Sequence, residues 1–121
     1  MAMTGEYLRL YVDERRRHHG VLLWEWLLEQ ANAIGIRGGS AFRAIGGFGR
    51  HHVLHESQFF ELAGSTAVEV EFIVDAKEAE AMMSLVRNAG ICVFYVRVPV
   101  EFGVINADES AGNASEESGK H

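Results

Sequence analysis

Three glycines in four residues, Gly46, Gly47 and Gly49, enclose Phe48 and run directly into Arg50, His51 and His52. Glycines at this density allow positive φ and let main chain approach a ligand closely. Successive N–H groups freed in this way can line a concave anion-binding nest. The Arg50 guanidinium, with His51 and His52 beside it, adds positive charge where a phosphate would sit. The same glycines would also serve a bare bulge or loop hinge. Histidine offers a second chemistry: His51 and His55 are four apart, and imidazoles ligate Zn, Cu or Ni. Adjacent histidines in a loop without a fixed scaffold are more commonly a solvated polar segment, so a metal site on His51 and His55 is the weaker reading. A further alternative is that His55, followed by Glu56, orients the loop or senses pH.

No catalytic constellation accompanies these residues. Ser40, Ser57, Ser65 and Ser84 lack a nucleophile elbow, and no pair of acids stands out for proton transfer. The single cysteine, Cys92, excludes an intramolecular disulfide and lies in the apolar run Ile91-Cys92-Val93-Phe94. It is expected to be a buried, inert small hydrophobe without electropositive neighbours. The chemistry on offer is binding, not catalysis.

The elements that must position the glycine segment are written in the periodicity. Residues 7–12 alternate and are rich in strand formers, which predicts a first strand. A charged connection, 13–20, carries Arg15-Arg16-Arg17 and His18-His19, flanked by Asp13 and Glu14. It reads as a solvated connection or an ion-pair set. Leu23, Trp24, Leu27, Leu28, Ala31 and Ile34 recur at three and four, predicting a helix over 21–34 that Gly35 stops. Trp24 fits the core stripe, whereas Trp26, two residues on, cannot share its face and is expected exposed or in an interface, with packing the plainer role for both.

A second strand is predicted over 40–45, interrupted by the glycines, with extended structure resuming over 59–62. A turn or bulge over 63–66 precedes a cleanly alternating strand over 67–74. Asp75 with Glu78 makes a capping-box pair for a helix over 76–88, Gly90 stops it, and 91–100 reads as the last strand. The order β-α-β-β-α-β is that of a ferredoxin-like α+β fold, an antiparallel sheet packed by two helices. Such a fold by itself says nothing about function.

Bulk properties set limits. At 121 residues, 48% hydrophobic and 23% charged, the chain is one domain with enough core to fold unaided. Residues 1–105 are assigned to the domain. Residues 106–121 are assigned to a disordered acidic tail, since no large apolar side chain follows there to offset ordering entropy. Four acids against Lys120 give this tail −3 of the formal −6, so the folded part is mildly acidic and nucleic acid is not an expected partner. With no apolar run of membrane-spanning length and no signal pattern, a cytoplasmic location is expected.

The stretch GIRGGSAFRAIGGFGRHHVLHESQFFEL resembles PII signalling proteins, whose second strand ends in Gly-Phe-Gly-Arg before a long mobile loop, the T-loop. More closely, LRLYVDERRRHHG, RAIGGFG, HVLHESQFFEL and the strand ending FIVDA resemble the PII-like family of domain of unknown function 190, over roughly residues 7–102. That resemblance implies a homotrimer, its sheets around a threefold axis, with an adenine nucleotide in the cleft between subunits. Carried over, Ser40 faces the base, and Gly47, Phe48, Gly49, Arg50 and His51 face the phosphates. His52, His55 and Glu56 fall in a switch loop, about 50–56. The turn near the end of the second helix also contributes in such trimers. Here it reads only Asn88-Ala89-Gly90-Ile91, without the cations a triphosphate needs, which favours AMP or ADP as effector.

No cofactor is required on this reading. Bicarbonate or another small anion is a candidate co-effector, and the cytoplasmic face of a membrane transporter a candidate target, so transport regulation is the implied role. The alternatives are a metal-binding trimer similar to the divalent-cation tolerance family and a ligand-free interaction module.

Overall fold

A computed structural model describes residues 2–47 and 66–107. The first strand, β1 (Met3–Asp13), is centred in the sheet. Its even residues Leu8, Leu10 and Val12 are buried, while Tyr7, Arg9 and Tyr11 alternate onto the opposite face. A small hairpin follows, β2 (Arg17–His18) and β3 (Val21–Leu22), and leads into α1 (Leu23–Ala33). Then come β4 (Ser40–Arg43), β5 (Ala67–Val74), α2 (Ala76–Asn88) and β6 (Phe94–Phe102).

The main sheet has the order β4-β5-β1-β6, and every pairing is antiparallel. Each helical crossover therefore skips one strand: β1 to β4 passes over β5, and β5 to β6 passes over β1. This is the predicted ferredoxin-like arrangement. Both helices lie on one face, where Leu23, Leu27 and Ala31 of α1 and Ala79, Met82 and Val86 of α2 meet Val68, Val70, Phe72 and Val74 in a single core.

α2 forms where predicted because its start is over-determined. The Asp75 carboxylate accepts from the Glu78 N–H at 2.7 Å, and Glu78 accepts from the Asp75 N–H at 2.9 Å. Several boundaries differ from expectation. Residues 21 and 22 pair with 18 and 17 as β3 instead of opening the helix, so α1 starts at Leu23. His19 (φ 53) and Gly20 (φ 80) make the two-residue positive-φ turn that suits a tight hairpin. Gly35, at φ 96, ends α1 as expected. β6 begins three residues later than predicted and runs on to Phe102, because Met3–Tyr11 supplies partners over that whole length.

Cys92 corrects a prediction. It is exposed, since β6 begins only at Phe94 and Cys92 lies in the preceding turn, flanked by the partly buried Ile91 and Val93. Its surroundings are also electropositive: Arg16 Nη1 donates to the Cys92 carbonyl at 2.8 Å. Arg15 pairs with Asp13 and Arg17 donates to the Gly20 carbonyl, so the arginine triplet is spent within the chain. Both tryptophans are packing residues, half-buried against the core, with Trp26 beneath His18 at a ring separation of 4.4 Å.

Arg97 ties β6 to β1 and α2. Its Nε and Nη2 donate to the two oxygens of Glu6 at 2.6 and 2.9 Å, and Nη1 donates to Glu80 at 2.7 Å. The hydrogen bonds from Arg97 hold the Glu6 carboxyl below its ordinary value of 4.5, against a smaller opposing effect of desolvation. A depressed carboxyl stabilises the fold above its unfolded value and loses that contribution as pH falls through the folded one. Urea midpoints measured from pH 7 downward should therefore fall more steeply below 4.5 for the native chain than for Arg97→Met. A native-to-variant difference that stays constant with pH rules this linkage out.

Candidate ligand-binding site

β4 is an edge strand, and the candidate residues hang from it. Gly38 and Gly39 lead into it, and Gly39 is a glycine for packing: a Cβ there would lie 2.5 Å from the Phe72 ring. Between α1 and this approach is a cleft of about 290 Å³ lined by Leu28, Ala31, Asn32, Ile36, Phe72 and the 37–39 segment. Ser40 is exposed and opposite Glu71, so it shares the open face of the sheet and not the helix-side cleft.

β4 ends at Arg43, whose Nε holds Glu14 at 2.7 Å. Ala44 N–H then donates to the Ala67 carbonyl, and Glu14 N–H to that of Thr66, both at 2.9 Å. These bonds fix where the glycine segment leaves the sheet. Gly47 has φ 153, a backbone state that favours glycine, and it is exposed. Phe48, Gly49, Arg50, His51, His52, His55 and Glu56 lie outside the described residues, as do the predicted strand over 59–62 and the tail from 108. The metal alternative on His51 and His55 therefore lies outside them too. Among the described residues no three His, Cys, Asp or Glu side chains group to hold a metal. No described helix is long and apolar enough to cross a membrane.

Two further segments lie at the same end of the sheet as the glycine segment. One is the β2–β3 hairpin, where the His18 ring sits 4.1 Å from His19. Burial first, then the charges of His19 and Arg16, lower the His18 pKa, so it resists protonation. The other is the α2–β6 turn, with Gly90 at φ 71. In the strand order, Gly46–Gly47 lies at the β4 edge and this turn at the β6 edge, three strand spacings or about 14 Å apart.

Sequence reasoning missed two arginines. Among the described residues, Arg9, Arg15, Arg16, Arg17, Arg43 and Arg97 have polar partners. Among the described residues the side chains of Arg37 and Arg87 have no such partner, and each lines a cleft. Arg87 immediately precedes the Asn88-Ala89-Gly90-Ile91 turn, which carries no cation of its own. Its place in the last turn of a helix was the only available signal, and that position ordinarily means no more than dipole complementation.

Residues 5–102 match the model of the DUF190 family, described as an uncharacterized ACR. The chain belongs to the DUF190 family. One relative in sequence is a UPF0166 protein of Aquifex aeolicus (strain VF5), 29% identical over 81 residues that cover 67% of this chain and 77% of that protein. Among solved structures, CPII of Thiomonas intermedia K12, a nitrogen regulatory PII-like protein bound to ADP, AMP and bicarbonate, superposes with a TM-score of 0.58. It is 11% identical, over 86% of this chain and 98% of CPII. A Thermus thermophilus protein described as PII-like superposes with a TM-score of 0.58 at 14% identity, over 89% of this chain and 96% of the other. The DUF190 chain thus shares the ferredoxin-like fold of these PII-like proteins, and its strand order is the ferredoxin-like one.

Proposed function

We propose that this DUF190 protein is a PII-like signalling protein that binds AMP or ADP between subunits of a homotrimer and passes the binding state to a partner through the loop at about 50–56. One observation carries the reading: the base of the glycine segment and the α2–β6 turn share one end of the sheet but lie on opposite edges. A ligand reaching both is accommodated most simply where the β4 edge of one copy approaches the β6 edge of the next. CPII, which has the same fold, binds ADP and AMP together with bicarbonate or acetate.

The open face of the sheet supports association with further copies. It presents Met3, Phe42, Ile73 and Val98, each at least 41% exposed, around a polar centre. At that centre Arg9 donates to the Tyr7 and Tyr11 hydroxyls at 2.6–2.9 Å and faces Glu71 at 3.2 Å. A trimer buries this face and both sheet edges together.

Phosphate charge is met by backbone amides of the glycine segment and by Arg50, with Ser40, Phe48 and His51 at the margins of the same site. Binding orders the loop containing His52, His55 and Glu56, an order–disorder switch that requires different ligand affinities in its two states. A membrane transporter is the target we favour, and bicarbonate a co-effector. The role is regulatory, with no reaction assigned.

Calorimetric titration with AMP, ADP, ATP, cyclic AMP and Zn²⁺ tests this. AMP or ADP should saturate. Arg50→Ala should weaken binding about tenfold or more, the usual worth of a charge-assisted hydrogen bond. Gly49→Ala should weaken it as well, and sedimentation should give three times the 13.4 kDa chain mass. Tight Zn²⁺ binding lost on joint replacement of His51 and His55 by alanine, without nucleotide binding, would replace this reading with a metal-binding one. Binding of neither would leave an interaction module.

A further inference from the structure

Resting on the nucleotide reading above, we propose that Arg16 and Arg87 supply the α2–β6 turn with the cations its own residues lack. By meeting the second phosphate, they select ADP over AMP. The turn itself, Asn88-Ala89-Gly90-Ile91, carries no charged side chain. Folding brings a guanidinium to each end of it. Arg87 stands immediately before it in the last turn of α2, and lines a cleft of about 220 Å³ with Ile91, Val93 and Tyr95. Arg16 arrives from the base of the β2–β3 hairpin, where its Nη1 donates to the Cys92 carbonyl at 2.8 Å.

Arg16 is held in place before any ligand arrives. Its N–H donates to the Asp13 carbonyl at 3.0 Å, and its own carbonyl accepts from the Leu23 N–H at 2.7 Å. With the side chain tied to Cys92 as well, little freedom is left to lose on binding. That bond commits one N–H of the fork, but a carbonyl does not neutralise the charge. Among the described residues no carboxylate pairs with Arg16 or Arg87, and no acidic side chain lines the cleft. Arg15, Arg43 and Arg97, by contrast, are each neutralised by an acid. Paired unneutralised forks, in a chain of formal charge −6, match phosphate oxygens. The phosphate that AMP and ADP share is met, on the reading above, by glycine-segment amides at the β4 edge. The further phosphate of ADP is the one left for the turn. Arg87 also offsets the negative end of α2, and Arg16 ties the hairpin to the turn, but neither role distinguishes AMP from ADP.

Calorimetric titration of the full chain with AMP and with ADP reads the proposal as a ratio of affinities. ADP should bind the native chain about tenfold or more tightly than AMP, the usual worth of an added charge-assisted hydrogen bond. Arg16→Gln and Arg87→Gln should each lower that ratio by about threefold or more, and together bring it close to parity, with AMP affinity little changed. Arg87→Gln breaks no polar side-chain contact among the described residues, so its result does not hang on the Arg16 variant keeping its fold. Arg15→Gln, adjacent in sequence but paired with Asp13 at 3.5 Å, should leave the ratio as it is. An unchanged ratio in the double variant, or equal weakening of AMP and ADP, would overturn this assignment while nucleotide binding stands. So would a native chain without preference for ADP, or the same drop in Arg15→Gln. A native chain that binds neither nucleotide removes the nucleotide reading itself, and this inference with it.

Discussion

Phe72→Ala should lower the free energy of unfolding by about 3–5 kcal/mol, the usual range for deleting a buried phenyl ring. Phe72 is 2% exposed in the middle of β5, and its ring meets both the α1 packing and the backbone at Gly39. It also walls the 290 Å³ cleft, so truncation enlarges an existing space that the surroundings have not closed. A domain of this size has a total stability of about 5–15 kcal/mol, so the variant approaches the unfolding threshold. Its melting point should drop by about 12 °C or more, at about 4–8 °C per kcal/mol. Phe72→Leu should recover most of the loss. An alanine variant within about 1 kcal/mol of native by urea titration would mean that the ring is not a core element.

Replacing Gly5 should be nearly as damaging, for a different reason. A Cβ at this position would run into the Val74 carbonyl oxygen and come within 2.8 Å of the Phe102 ring. The ring can swing away. The carbonyl belongs to β5 and cannot move without disturbing the β1–β5 pairing that begins at Glu6 and Val74. Gly5→Ala should cost about 1–3 kcal/mol by overpacking, and Gly5→Val more. Hydrogen exchange localises the effect: amides near Glu6 and Val74 should lose protection before those at Leu10 and Val70, four residues deeper in the same ladder. Uniform loss of protection, or none, would contradict this account.

The two elements read most accurately, β5 and α2, owe it to strong local signals. Alternation from Ala67 to Val74 ends at Asp75, which caps the helix, and Gly90 closes it. The β2–β3 hairpin escaped notice because its strands are two residues each, too short for any periodicity, and its turn uses His19 where Asn or Gly is the usual signal. The sequence predicts a buried Cys92 because an apolar run looks the same in a turn as in a strand. Only the point at which β6 begins to pair decides which of its side chains face inward.

For the candidate site the division is sharper. The chemistry of Gly46, Gly47, Gly49 and Arg50 and the likeness to PII-like proteins were legible from residue types and order, because backbone freedom and charge are local properties. The sequence also determined the order of strands and helices, since each carries its own period and stop signals. Tertiary structure alone decided that the glycine segment, the basic hairpin and the α2–β6 turn share one end of the sheet, with the first and last on opposite edges. It also decided which arginines are spent on the chain's own carbonyls and carboxylates and which stand unpaired beside clefts. Such facts depend on pairing between residues far apart in sequence, and no local pattern of side chains encodes the distance between them.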